Sequence, residues 1–472
     1  MPPTHLQPYP AYKDSGVPWL ENLPIHWGVL RAKNIFTPVD VRSKTGDEEL
    51  LTVSARDGVV PRREKQVTMF MAASYIGHKL CWPGDLVINS LWAWANGLGF
   101  SRYHGIASSA YGVYRPRPQF TSYWRFFDFL LRSLTYDWEL HVRSKGIWTS
   151  RLQLTDESFL DMPIIVPPAD EAELIAHFLD HFDRRVNRFI RAKRQLIALL
   201  NEQKQAIIHR AVTRGLNPDA PLKPSGVAWL GEIPEHWEVR KLKHLGEVKI
   251  GLTYSPSDVS EEAGKLVLRA SNIRNGRIVS ADNVYVTKVI PQSLLVTEGD
   301  ILICVRSGSR NLVGKSALIT QEMSGVTYGA FMSVLRSEIN TFLYWVLNSN
   351  LLPSVMAEFE TSTINQLTQS DLRDLIISVP PAAERNCIVD FLVSQTARIV
   401  SAIDFAQAEI ALIREYRTRL IADVVTGKLD ARAAAAGLAA EMGEEDAWLE
   451  GEAAGDDEEA QDEPLAPEPD AD

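Results

Sequence analysis

Apolar residues recur in steps of three and four along two long stretches of this chain. After Pro168 they fall at Ile175, Phe178, Phe182, Val186, Phe189, Leu196, Leu200, Ile207 and Val212. After Pro381 the series is Ile388, Phe391, Ile399, Ile403, Ala406, Ile410, Ile413, Leu420 and Val424. That period predicts two helices with a coiled-coil-like seam, at 168–216 and 382–430. Each starts after a Pro-Pro pair, which cannot lie inside a helix, and stops near Gly215 or Gly427. At ~1.5 Å per residue each would be about 60 Å long. Two such helices in one chain pack most simply against each other, antiparallel.

The stretches at 34–150 and 244–365 pattern differently. Short β-rich runs, such as 85–89 and 300–306, alternate with Gly- and Ser-rich loops and a few helical segments, among them 123–134 and 342–352. Each reads as a mixed α/β domain of ordinary single-core size. The expected fold class is therefore α+β. Its divisions are 1–167 and 217–381 for the globular parts, 168–216 and 382–430 for the helices, and a tail from 431.

The chain also contains itself twice. SGVPWLENLPIHWGVLRAK begins at Ser15 and SGVAWLGEIPEHWEVRKLK at Ser225, with ten of nineteen positions identical. LTDESFLDMPIIVPPADEAELIAHFL begins at Leu154 and LTQSDLRDLIISVPPAAERNCIVDFL at Leu367. A weaker echo sets Gly84-Asp85-Leu86-Val87-Ile88 against Gly299-Asp300-Ile301-Leu302-Ile303. The inserts otherwise differ. One half-unit is repeated, giving a pseudo-twofold plan of opening block, variable insert, Pro-Pro block and long helix.

Charge changes the picture once it is divided along the chain. The net charge is −11, but from Ala431 onward 15 acidic residues face a single Arg, Arg432. Residues 1–430 then hold 48 basic and 45 acidic residues and are mildly basic. The tail has little to bury and is expected to be disordered. Cys81, Cys304 and Cys387 form no Cys-x-x-Cys pair, which fits a reducing cytoplasm and three buried small apolar side chains. Neither a signal peptide nor a membrane-spanning run is indicated.

The duplicated SGVxWLxxxPxHW block, the duplicated LTxxxxxDxxIxxPP block and the long helices resemble the specificity subunit of Type I restriction-modification systems. The resemblance covers nearly all of 1–430. It implies two target-recognition domains, each reading one half of a split site in double-stranded DNA, with the helices as spacer. It also implies two methylation subunits and two motor-nuclease subunits as partners. Those partners would use S-adenosylmethionine, ATP and Mg, with no cofactor bound here directly. Because the inserts differ, the half-sites should differ too, and the site should be asymmetric and interrupted. Lengthening a spacer helix should change the gap and leave the half-site letters alone.

Candidate DNA contacts follow from residue type, since Asn and Arg can pair with base edges while Lys and Arg hold phosphates. In the first insert they are Arg56, Arg62, Arg63 and Lys65, then Asn96, Arg102 and Tyr103 beside Gly97 and Gly99. The neighbouring Trp92 and Trp94 suit either DNA packing or the core, and the core is favoured. In the second insert the segment at 269–277 offers Arg269, Asn272, Arg274, Asn275 and Arg277. The segment at 306–316 offers Arg306, Ser309, Arg310, Asn311 and Lys315. The alternative for either segment is a solvated surface loop, and given the resemblance DNA contact is favoured.

Enzyme signals fail on inspection. The run at 309–316 nearly reads as a phosphate-binding loop, but Ser309 stands where its first Gly should be. Pro218-Asp219 with Glu247 and Lys249 loosely mimics a metal-dependent nuclease motif. The first repeat, however, has Thr37 and Val39 at the positions matching Glu247 and Lys249. The Pro-Pro pairs lack the Asn or Asp that adenine methyltransferases place before them. His26 and His236 recur in both opening blocks, which points to a structural hydrogen bond. The shared Trp residues of those blocks suit a seal at the base of each domain better than a partner-docking surface. A single-chain methyltransferase or nuclease is thereby disfavoured. A stand-alone DNA-binding regulator is the other alternative, and tight binding without partners would distinguish it.

Overall fold

The computed structural model describes residues 6–55, 57–64, 74–146, 152–260, 264–280, 282–307, 312–352, 355 and 366–437. The chain forms two compact units, and each draws on both halves of the sequence. The first comprises 1–191 with the chain from 409 on; the second comprises 192–408. The two predicted helices are Ala169–Arg214 and Ala382–Val425, so each runs from one unit into the other.

Pairing along the helices fixes their direction. In the first unit Phe182 meets Tyr416 edge-on at 5.9 Å and Arg417 pairs with Asp183. In the second unit Ile208 and Val212, near the end of the first helix, share a core with Ile388 and Leu392, near the start of the second. As the first helix advances its partners step back along the second, which is antiparallel packing. Ile175, Val186, Val212, Ile388, Ile403 and Val424 are buried as the spacing predicts. Phe189, Leu196 and Phe391 are not, at 38–42% exposure. At Phe189 the reason is geometric: with 3.6 residues per turn, the position four after Val186 is Ile190, which is the buried one.

Each unit is built on the same four-stranded antiparallel sheet. In the first unit the order is Phe36–Pro38, Gly112–Pro116, Leu86–Ile88, Leu98–Phe100. In the second it is Glu247–Ile250, Met332–Arg336, Ile301–Cys304, Ser316–Leu318. The helix after the Gly112–Pro116 strand is Trp124–Leu131, and the one after Met332–Arg336 is Asn340–Leu347. Unlike structure elsewhere then distinguishes the units. The first carries the hairpin Leu51–Ser54 with Gly58–Pro61, and a two-stranded antiparallel pair of Lys79–Cys81 with Gly105–Ala107. The second carries a further sheet, Val259–Ser260, Val284–Val286, Lys265–Leu268, Thr327–Tyr328, and the short hairpin Ile273–Arg274 with Arg277–Ile278.

Two expectations need correction. Cys81 and Cys304 are buried, but Cys387 is exposed, because it lies one residue before the inward-facing Ile388 on the second helix. The acidic tail does not start at 431. Ala431 and Ala435 are buried, and 432–437 is helical. Arg432 holds this segment down through a bidentate pair with Asp430 and by lying 5.0 Å over the Tyr9 ring. The rest of the tail lies outside the described residues. Among the described residues no helix is long and apolar enough to cross a membrane.

Candidate nucleic-acid interface

The repeated residues build a frame, and the frame explains why they repeat. In each half the opening block and the Pro-Pro block pair as an antiparallel ribbon: Gly28–Arg31 with Pro163–Val166, and Glu238–Lys241 with Ile376–Val379. The Thr of each LT pair caps a short helix, Thr155 accepting from Ser158 N–H and Thr368 from Asp371 N–H. The repeated Asp beyond it pairs back to the opening block. Asp161 takes Arg31, and Asp374 takes Lys241 and Lys243 at 3.1 and 2.9 Å. Hydrogen bonds from Lys243 and then Lys241 hold the Asp374 carboxyl down to about 2.

The two repeated His residues close the same frame. His26 Nε2 lies 2.7 Å from Glu171, and His236 Nε2 lies 2.7 Å from Glu384, both Glu residues standing in the first turn of a long helix. Trp27 and Trp237 beside them are fully buried, so this part of the opening block is a seal. The halves differ in the remaining partners. Trp237 Nε1 donates to Glu384 at 3.1 Å, whereas in the first half the Tyr9 hydroxyl donates to Glu171 at 2.6 Å. Burial, and then that bond to Glu171, push the Tyr9 phenol up.

The Gly-Asp echo also proves structural, and its role was missed in the sequence. Asp85 is nearly inaccessible and takes a two-pronged hydrogen bond from Arg115, at 2.7 and 2.8 Å. Asp300 takes the same fork from Arg336, at 2.8 and 2.5 Å. Each Asp also accepts from a backbone N–H three residues earlier, at Trp82 and Thr297. The preceding glycines sit at φ +88° and +83°, where a side chain would be strained. The legible signal was an Arg on the neighbouring strand of each insert.

With the repeated residues used in the frame, the reading surface must come from the unlike parts. Two correspondences stand out there. The connection between the third and fourth strands of each sheet holds a candidate segment: 89–97 in the first unit, and in the second the described residues 305–307 and 312–315. Each unit also packs a hairpin on its fourth strand, Gly58–Pro61 against Leu98–Phe100 and Arg277–Ile278 against Ser316–Leu318. The first packing is close enough that a Cβ on Gly99 would lie 2.8 Å from Gly58 Cα. A donor from the helical part of each unit fastens the hairpin's turn: Arg132 to the Ala55 carbonyl at 2.6 Å, Tyr344 to the Gly276 carbonyl at 3.2 Å. Hairpin and strand connection thus share one edge of each sheet.

The candidates fall into place as follows. In the first unit Arg102 and Tyr103 are exposed just past the fourth strand. Arg63 is exposed but pairs with Glu49 at 2.9 Å, and Arg62 beside it is half-buried. Asn96 is half-buried in the left-handed region at φ 60°, closing the turn after the two tryptophans. Trp92 and Trp94 stack on each other at 5.4 Å, and Trp94 Nε1 donates to the Leu91 carbonyl. Arg56 and Lys65 lie outside the described residues.

In the second unit Arg274, Asn275 and Arg277 are exposed on the hairpin, and Lys315 is exposed next to the strand it packs on. Arg306 is exposed and lies 5.3 Å over the ring of Phe331, itself 58% exposed. Asn272 is fully buried, and its amide is used within the loop, accepting from Arg269 N–H and donating to the Val279 carbonyl and Asn283. Arg269 is tied to Asp282 at 2.5 Å. These two shape the loop and leave contact to their neighbours. Ser309, Arg310 and Asn311 lie outside the described residues. Among the described residues no three His, Cys, Asp or Glu side chains gather as a metal site.

Comparison with known proteins finds the following similarities. The model of the Type I restriction modification DNA specificity domain matches residues 234–403. The EcoKI specificity subunit of Escherichia coli strain K12 is 27% identical over 207 residues, 42% of this chain and 44% of that protein. The match therefore spans less than half the length of that relative. A putative MjaX specificity subunit of Methanocaldococcus jannaschii is 24% identical over 293 residues, 61% of this chain and 64% of that protein. Among solved structures, a chain from a structure of complex assembly and conformational transition of the type I R-M system has the same fold. Its TM-score is 0.62 at 17% identity, over 86% of this chain and 99% of that one.

Proposed function

We propose that the chain is a specificity subunit of a Type I restriction-modification system, and that it selects the DNA site for a methylating and cleaving complex without catalysing either reaction. Each unit reads one half of an asymmetric, interrupted site in double-stranded DNA. Methyl transfer from S-adenosylmethionine lies with two methylation subunits. ATP- and Mg-dependent cleavage lies with two motor-nuclease subunits, all in the cytoplasm. The antiparallel helices act as spacer.

One observation carries this reading. The two units share a frame down to the same Arg forks on a buried Asp, yet differ in the hairpins and strand connections that line one edge of each sheet. A duplicated scaffold with unlike edges suits two different half-sites in one chain. Exposed Arg and Lys side chains at that edge suit a polyanion.

Selection of bound duplexes from a random library, using this chain with its methylation subunit, tests the proposal. Two fixed blocks separated by a constant gap of free sequence are expected. A single contiguous block would contradict it, and tight selection by the chain alone would favour a stand-alone regulator.

A further inference from the structure

We infer that the 273–278 hairpin of the second unit enters the major groove, and that Arg274 and Arg277 read guanine edges there. This rests on the reading above and names the element that performs it. Arg274 and Arg277 are directly opposite each other in the hairpin register, so both side chains leave the same face of the ribbon. Like charges at opposed positions repel each other. Among the described residues neither guanidinium forms a hydrogen bond or an ion pair, although nearby Arg269 is paired to Asp282. Paired acceptors set within the negative potential of the DNA phosphates relieve that repulsion.

The hairpin is also held ready. Asn275 at φ 51° and Gly276 at φ 76° form the two-residue turn whose twist matches the flanking strands. Tyr344 donates to the Gly276 carbonyl, and a Cβ on Gly276 would lie 2.4 Å from the Tyr344 hydroxyl oxygen, so no larger residue fits without displacement. Buried Asn272 fixes the approach to the first strand, and the second strand rests on Ser316–Leu318. At the tip the side chains of Arg274, Asn275 and Arg277 are exposed. A two-stranded ribbon is of a size the major groove admits, and the Arg fork matches guanine O6 and N7. A phosphate contact alone would be met as well by Lys, which lacks the fork.

The test is methylation sequencing in cells that carry the full chain with its methylation subunit, comparing wild type with Arg274→Gln, Arg277→Gln and Arg277→Lys. In each variant one half-site should lose its requirement for a guanine at one position, preference falling about tenfold or more, while the other half-site keeps every letter. Arg277→Lys keeps the charge, so it should still methylate, at the relaxed site. Unchanged letters in Arg277→Lys, or unchanged letters with uniformly weaker methylation in both Gln variants, would overturn the inference. A wild-type chain that directs no two-part site would instead overturn the function on which it rests.

Discussion

Asp85 and Arg115 are joined by two near-parallel hydrogen bonds between a buried carboxylate and a guanidinium that remains half exposed. Asp300 and Arg336 repeat the arrangement in the second unit. The fork ties the turn before one central strand to the strand beside it. Removing only the cation leaves a carboxylate in a low-dielectric site without its partner, which costs more than the pair itself contributes. Arg115→Ala should therefore destabilise the first unit by roughly 2 kcal/mol or more, and Arg336→Ala the second. Denaturant unfolding followed by limited proteolysis assigns each loss to its unit. Loss below about 0.5 kcal/mol, the usual range for surface changes, would show that the fork does not support the sheet.

The segment after the second helix belongs to the folded first unit. Asp430 N–H donates to the Gln7 carbonyl, Arg432 grips Asp430, and Lys428 pairs with Glu21 at 2.9 Å. Truncation after Gly437 should leave thermal stability and DNA affinity as in the full chain. Truncation after Leu429 should lower the melting temperature by several degrees, since it removes the Asp430–Arg432 pair and buried Ala431. Equal melting temperatures for the two truncations would contradict this.

Thiol chemistry should separate the three cysteines. Cys81 and Cys304 are buried and so inaccessible, and burial pushes the Cys81 thiol up to about 11 and also raises Cys304, keeping both protonated near neutrality. Cys387 is exposed. One thiol per chain should react quickly with an alkylating reagent in the native protein, and peptide mapping should place it at Cys387. Rapid modification of Cys81 or Cys304 would mean that the sheets open more readily than their burial implies.

Acid should loosen the second frame in a defined window. The Asp374 carboxyl, held down to about 2 by Lys243 and Lys241, is depressed from the ordinary Asp value of ~3.9. Its contribution is present above that ordinary value and is lost as pH falls from about 4 towards 2. Asp374→Asn should be less stable than wild type near neutrality, and the gap should close as pH approaches 2. A gap that stays constant from pH 6 to pH 2 would rule out this ion pair as its source.

Much of this architecture was legible in the sequence because the repeat marks structure. The Pro-Pro pairs preceded both helices as expected, and the His26 and His236 pairs with helix carboxylates are the structural bonds that their recurrence suggested. The seam was read less well, since steps of three and four do not distinguish Phe189 from the neighbouring Ile190. The Asp85–Arg115 fork was hidden because its partners are 30 residues apart and only the Asp side lay in the visible echo. Candidate contacts were harder still. Arg269 and Asn272 have the same residue types as Arg274 and Asn275, and only packing tells a loop's internal fasteners from its exposed tip.

The measurement that tests the central claim most directly is single-molecule sequencing of DNA methylation in cells. One culture would carry this chain with its methylation subunit, and the other that subunit alone. A two-part asymmetric methylated site, present only when this chain is present, is the predicted result. A soluble complex that leaves methylation the same with and without this chain would contradict the assignment.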